Sequence, residues 1–419
     1  MICWQTWNRR WLNRGAAKRR ERGNMKYNFD EVVDRRGTNS LKYDFALERG
    51  RRSDVIPMWV ADMDFRTAPE ILEQLHRTVD HGIFGYSDGK ESYFQALQDW
   101  FYSRFGWQIK DEWLVKTPGV VFAVAAAVRG LTQEGDAVML QQPVYYPFSE
   151  VIRDNNRRPV CSPLKLREGH YEIDFEDLEE KISSEHVKLF LLCSPHNPVG
   201  RVWKEWELRR LGEICLRYGV LVVSDEIHSD FTYEGYTHHV FADIAPEFAA
   251  ITVTCTAPSK TFNLAGLQIS NIFISDPALR KRFQKAVDAA GYSQPNLMGL
   301  AACEAAYEKG GPWLAALKVY LAENLAFVRS YLRERLPEIR LVEPEGTYLI
   351  WLDFRGLGLT RGERKELVAD RARLWLDNGA MFGAGGEGFE RMNIACPRET
   401  LRRAMERLEK GWRGMKKSF

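Results

Sequence analysis

The chain has 419 residues, 45% of them hydrophobic and 28% charged, enough to bury a large core and to divide into two or three domains at the usual ~100–200 residues each. It has no run of about 18 apolar residues, so no membrane-spanning helix is expected, and no repeat of the kind that builds a solenoid. The formal charge of +2 hides an asymmetry: residues 1–24 carry seven Lys or Arg against Glu21 alone, leaving the remainder about −4 and arguing against a nucleic-acid-binding surface.

In chain order, residues 1–24 come first. They lack the apolar stretch of a secretory signal. One reading is a disordered basic tail. Another is a membrane-surface helix with Trp4, Trp7 and Trp11 at helical spacing. A third is that translation starts at Met25, because KRRERGN (18–24) can be encoded by nearly pure purine codons, as a bacterial ribosome-binding site is. Residues 25–58 are expected to pack with the C-terminal part of the chain.

The body then alternates short apolar runs with amphipathic stretches. KLFLLCSP (188–195), VLVVSDE (220–226), AITVTCT (250–256) and ISNIFIS (269–275) read as buried strands. EWELRRLGEICLRYG (205–219) reads as a helix closed by Gly219. Continuous apolar strands alternating with helices imply a mainly parallel α/β sheet covered on both faces, whose ligands bind beyond the carboxyl ends of the strands. From about residue 299 the texture changes. Long helices (299–336) lead to a strand (TYLIWLDF, 347–354) and a further helix. A turn with Gly383, Gly385, Gly386 and Gly388, a strand (RMNIA, 391–395) and a basic helix follow. The expectation is a large domain over 59–298 and a smaller α+β domain over 299–419. Seven cysteines, an odd number without a CxxC pair, read as reduced, mostly buried thiols of a cytosolic protein, with no structural zinc.

Three strand ends carry the chemistry. The first runs into SPHNPVG (194–200), the second into SDEIH (224–228), the third into APSK (257–260). In a parallel sheet Asn197, Asp225 and Lys260 project into one crevice. Alone, each has an ordinary reading: a turn at Asn-Pro, a helix N-cap at Asp, a solvated loop lysine. Together they match what pyridoxal phosphate (PLP) requires. A lysine amine forms a Schiff base with its aldehyde. A carboxylate keeps the pyridine nitrogen protonated. A neutral amide can bond the ring oxygen.

On SPHNPVG and SKTFNLAG (259–266) the chain resembles the fold-type I PLP enzymes of aminotransferase class I/II, essentially throughout from Met25. MWVADMDF (58–65), FGYS (84–87), SDEIHSD (224–230), SKTFNLAGLQ (259–268) and RMNIACP (391–397) look like signatures of that group's bacterial cystathionine β-lyase/C–S lyase branch. The resemblance implies a three-layer α/β/α large domain with a seven-stranded sheet. It implies that Tyr145 stacks on the ring and that the N–H groups of Val120 and Val121, opening a helix after TPG, receive the phosphate. Ser259 adds a hydroxyl there. Tyr86 reaches the phosphate from a neighbouring subunit, making the protein a homodimer. Arg391 pairs with the substrate α-carboxylate. Core packing for Tyr145 and a surface ion pair for Arg391 remain as alternatives. Gln268 stands where many class members have arginine, and His228 where many have tyrosine; both match the lyase branch. Glu390 stands where that branch has an apolar residue, either facing solvent or perturbing Arg391.

The implied reaction is α,β-elimination from L-cystathionine or a related cysteine S-conjugate, giving a thiol, pyruvate and ammonia. Lys260 acts as base and so needs a depressed pKa. Tyr86 or Tyr145 assists protonation. Pocket shape depends on the surroundings of Tyr292 and Tyr348. The main rival is an aminotransferase using the same trio; a lesser one is an added regulatory role through a protein partner.

Overall fold

The computed structural model describes residues 27–416; the readings of residues 1–24 and of a start at Met25 lie outside the described residues. Seven strands form the central sheet: β1 Leu114–Thr117, β2 Ala137–Leu140, β3 Arg158–Cys161, β4 Leu189–Cys193, β5 Leu221–Asp225, β6 Thr252–Thr256 and β7 Ser270–Phe273. Their spatial order is β1-β7-β6-β5-β4-β2-β3. Strands β2 to β6 are parallel, and β7 runs against both its neighbours, β1 and β6. The sheet is therefore mainly parallel, with seven strands as expected. The reversal at β7 has a local cause. The connection over 257–269 is taken up by a one-turn helix (Pro258–Thr261) and a 3₁₀ turn (Ala265–Leu267). With no crossover helix over a face, the chain returns antiparallel.

Strand periodicity splits the core. Leu189, Leu191 and Cys193 of β4 join Val223, Val253 and Ile272 in one apolar cluster, beneath the helix Val120–Leu131. Phe190 and Leu192 join Met139, Val222 and Trp203 in another. All five β4 residues are buried, which is why the run has no polar position.

A second sheet of four antiparallel strands comprises β8 Arg340–Val342, β9 Leu349–Asp353, β10 Asp377–Asn378 and β11 Phe389–Asn393, in the order β8-β9-β11-β10. The helices Gly311–Arg335 and Arg398–Lys416 share its core: Leu317, Leu321, Leu401, Met405 and Leu408 cluster with Ile350, Leu352 and Met392. The buried Leu401, Ala404, Met405 and Leu408 recur at helical spacing on one face. Residues near the start of the described chain return here. Phe29 packs edge-on against Phe65 and Trp313, and Ile56–Pro57 pairs parallel with Leu374–Trp375. The helix Leu297–Lys309 packs on Pro69–His81 and Glu91–Phe105. Among the described residues no helix is long and apolar enough to cross a membrane, and Cys161, Cys193, Cys215, Cys255, Cys303 and Cys396 are free thiols.

Candidate active site

The register of the parallel strands aligns their ends. Cys193 lies opposite Asp225, and Asp225 opposite Cys255, so β4, β5 and β6 finish level and their following residues face one crevice. Asp225 ends β5 and is buried. The one hydrogen bond to its carboxylate among the described residues comes from the Ile227 N–H, 3.2 Å away. Burial lifts its carboxyl to about 7, against the pull of that N–H and of Lys260. Lys260 sits on the one-turn helix after β6, and its Nζ donates to the Ala61 carbonyl at 3.0 Å. Burial lowers its amine to about 8; Asp62 and Asp225 oppose the drop and Arg391 adds to it. His228, buried, is pushed well below its ordinary value by burial, then by Lys260 and Arg391, so its imidazole is neutral at physiological pH. Its ring meets Tyr348 edge-on at 5.8 Å, and its Nδ1 is buried without a hydrogen-bond partner among the described residues.

Asn197 is buried. Its Oδ1 accepts from Arg391 Nη1 at 3.0 Å, and its backbone carbonyl accepts from the Tyr145 N–H at 3.0 Å. Tyr145 is half-buried, and burial raises its phenol above the ordinary range. After β1, Gly119 precedes the helix Val120–Leu131 with φ 140°, a backbone region that suits glycine. No side chain caps this helix. Its first intrahelical acceptor, the Gly119 carbonyl, takes the Ala123 N–H, so the Val120 and Val121 N–H groups stay outside the ladder. Ser270 fixes the turn, accepting from the Gly119 N–H at 3.0 Å and lying 2.6 Å from Thr117 Oγ1. Ser259 is buried one residue before Lys260. Tyr86 stands apart, 95% exposed, with no hydrogen bond, ion pair or ring contact among the described residues. Gln268, exposed, adopts φ 48° at the end of the 3₁₀ turn.

Arg391 reaches the crevice from β11 of the second sheet. It is 3% exposed, which excludes a surface ion pair. It pairs with Asp377 of β10, donates to the Trp59 carbonyl at 2.9 Å, and leaves Nε buried without a partner among the described residues. Glu390 neither faces solvent nor touches Arg391. Strand alternation turns it to the opposite side, where it accepts from Arg364 Nε at 3.2 Å and Asn378 Nδ2 at 2.9 Å. Burial raises its carboxyl to about 8 despite these donors.

One group was not singled out as functional from sequence. The segment 58–64 forms a strap under the site. The Ala61 carbonyl takes both Lys260 Nζ and the Tyr348 hydroxyl. Asn393 Nδ2 holds the Val60 and Asp62 carbonyls at 2.8 and 2.7 Å. Asp62 and Asp64 are gripped by Arg35 and the buried Lys42. Burial alone would raise Asp62, but Lys42 and Arg35 outweigh it and hold the carboxyl below its ordinary value. The signal was present as MWVADMDF, but its partners lie far along the chain.

A family model described as aminotransferase class I and II matches residues 53–408. The chain belongs to this aminotransferase family. Among curated relatives, the cystathionine beta-lyase PatB of Bacillus subtilis is 44% identical over 382 residues, covering 91% of this chain and 99% of that protein. Cystalysin of Treponema denticola, solved with pyridoxal 5'-phosphate, superposes with a TM-score of 0.90 at 39% identity, covering 93% of this chain and 100% of that one. A PLP-bound C–S lyase of Staphylococcus hominis, complexed with L-cycloserine, gives 0.87 at 34%, covering 93% and 99%.

The family member's own residues fit a phosphorylated pyridine aldehyde. Lys260 offers an amine that loses its proton near pH 8. Asp225 offers a buried carboxyl with a single hydrogen bond. The helix at Val120 offers uncapped N–H groups, and His228 a buried ring nitrogen without a partner.

Proposed function

We propose that the protein is a PLP-dependent carbon–sulfur lyase that converts L-cystathionine and water to homocysteine, pyruvate and ammonia, and accepts related cysteine S-conjugates. The observation that carries the reading is the half-buried Lys260, its amine lowered to about 8 by desolvation, in one crevice with Asp225 and Arg391. The 44% identity to a cystathionine beta-lyase over 91% of the chain supports elimination rather than transamination.

In this reading Lys260 holds the cofactor covalently. Asp225 keeps the ring nitrogen protonated, Asn197 and His228 attend the ring oxygen, and Tyr145 covers the ring. The Val120 and Val121 N–H groups and the Ser259 hydroxyl hold the phosphate. Bound there, PLP supplies the electron sink that acidifies the α-C–H of an amino acid and lets a β-thiolate depart. Arg391 grips the α-carboxylate, orienting the α-proton toward Lys260. Released for the reaction, Lys260 accepts that proton as a neutral amine. The Tyr145 phenol, kept protonated by burial, can donate a hydrogen bond toward the departing sulfur. The exposure of Tyr86 supports its service to the phosphate of a second copy in a homodimer. A division into a large domain (59–298) and a small one (299–419), with 25–58 joining the latter, is part of the same reading. The free thiols support a reducing, cytoplasmic setting.

The test is incubation of the holoenzyme with L-cystathionine and no keto acid. Pyruvate and homocysteine should accumulate in equal amounts. Turnover only on addition of 2-oxoglutarate would replace this reading with an aminotransferase.

A further inference from the structure

Beside Arg391, four side chains form a stack. The Trp59 and Trp375 rings lie face to face, 4.5 Å apart and 11° from parallel. The Arg49 guanidinium lies over Trp59 at 5.3 Å, and that of Arg51 over Trp375 at 5.7 Å. Trp59 is tied to the site through its carbonyl, which accepts from Arg391. The stack is thus joined, through the Trp59 backbone, to the arginine proposed to hold the substrate α-carboxylate.

Neither the Arg49 nor the Arg51 guanidinium forms a hydrogen bond or an ion pair among the described residues, unlike neighbouring Arg52, paired with Asp54 at 3.1 Å. The charge of Arg51 reaches the buried Asp377, whose carboxyl is raised by burial and drawn back by Arg391 and then Arg51. The charge of Arg49 reaches Tyr146, which also feels Asp377 and Arg391. Tyr146 is half-buried and Arg49 exposed, so around the Arg391–Asp377 pair the further charges of Arg51 and Arg49 are positive, and that of Arg49 is open to solvent. Two guanidiniums fixed on aromatic faces, with their donors unspent, are suited to a carboxylate.

We propose that Arg49 and Arg51 are specificity-determining residues that bind the distal carboxylate of a dicarboxylic thioether substrate. This rests on the lyase reading and deepens it. L-cystathionine carries a second amino-acid unit beyond its sulfur, whereas an S-alkyl cysteine carries none. The pair should favour the former without altering the chemistry at the α-carbon, where Lys260 and Asp225 act.

The experiment compares kcat/KM of the holoenzyme for L-cystathionine and for S-ethyl-L-cysteine, in wild type and in R49Q, R51Q and R49Q/R51Q. The double variant should lose about fivefold or more on cystathionine, through KM, a size reasonable for two partly solvated charge contacts. S-ethyl-L-cysteine should stay within about twofold, and R49K/R51K should restore part of the preference. In wild type, added salt should raise KM for cystathionine alone, a readout that needs no substitution. An equal loss on both substrates, or no loss on either with no salt dependence, overturns the proposal. Wild-type enzyme inactive on both substrates overturns the lyase reading itself.

Discussion

In the crevice, Asp225 ends a buried strand and Asn197 and Lys260 each follow one, and the aligned ends of β4, β5 and β6 place them. At the strap, position comes from distant parts of the chain. Arg391, Asn393, Tyr348, Arg35 and Lys42 converge on residues 59–64 through carbonyls and carboxylates. The first region needs only strand register. The second needs the N-terminal segment, the strap and the second sheet to be folded together. Crevice residues should therefore govern the chemical step, and strap residues substrate grip and stability.

The largest effect that would break this comparison lies in the crevice. Lys260→Ala should lower pyruvate release by about 10³-fold or more, and Asp225→Asn by about 10²-fold, with thermal midpoints close to wild type. A loss in KM alone would place these residues with the strap. Next, Arg391→Lys should raise KM by about tenfold or more with a smaller change in kcat, because lysine cannot reproduce the fork that spans Asn197, Asp377 and Trp59. Steady-state kinetics on L-cystathionine check it; a pure kcat defect contradicts it.

Lys42→Met should leave kcat little changed and lower stability. Lys42 is 1% exposed and lies 3.0 Å from Asp64. Removing one partner of a buried pair costs about 3 kcal/mol, and the Arg35 contact to Asp64 at 2.9 Å offsets part of that. Denaturant unfolding followed by intrinsic fluorescence measures it; an unchanged midpoint would contradict a stabilising role for the Lys42 hold on the strap.

The smallest effect on turnover concerns Glu390, on the side of β11 turned away from Arg391. Burial raises its carboxyl to about 8 in the folded chain, against an ordinary value of 4.5. Between those values the folded state binds more protons than the unfolded one, so this group's contribution to stability falls as pH rises. Glu390→Gln should gain thermal midpoint relative to wild type as pH goes from about 5 to about 8. A pH-independent difference would show that Glu390 is ionised throughout.

The same contrast explains what could be read from the residues in advance. Asn197, Asp225 and Lys260 were legible because each ends or follows an apolar run, and a parallel sheet leaves few places for such residues to go. The antiparallel β7 was not legible, because its apolar run resembles the others and only the short connection through Lys260 distinguishes it. The partners of Arg391 and Glu390 were not legible either. Asp377 and Asn378 face them across a two-residue ladder, and nothing in the spacing of RMNIA announces that pairing. MWVADMDF was noticed as a signature, but its role depends on Lys42 and Asn393, which no local pattern connects to it.

The most direct measurement of the central claim is borohydride reduction of the holoenzyme, followed by peptide mapping of the pyridoxyl-modified lysine. The account predicts one modified residue, Lys260, at close to one per chain. Label on another lysine, with Lys260 unmodified, would contradict it.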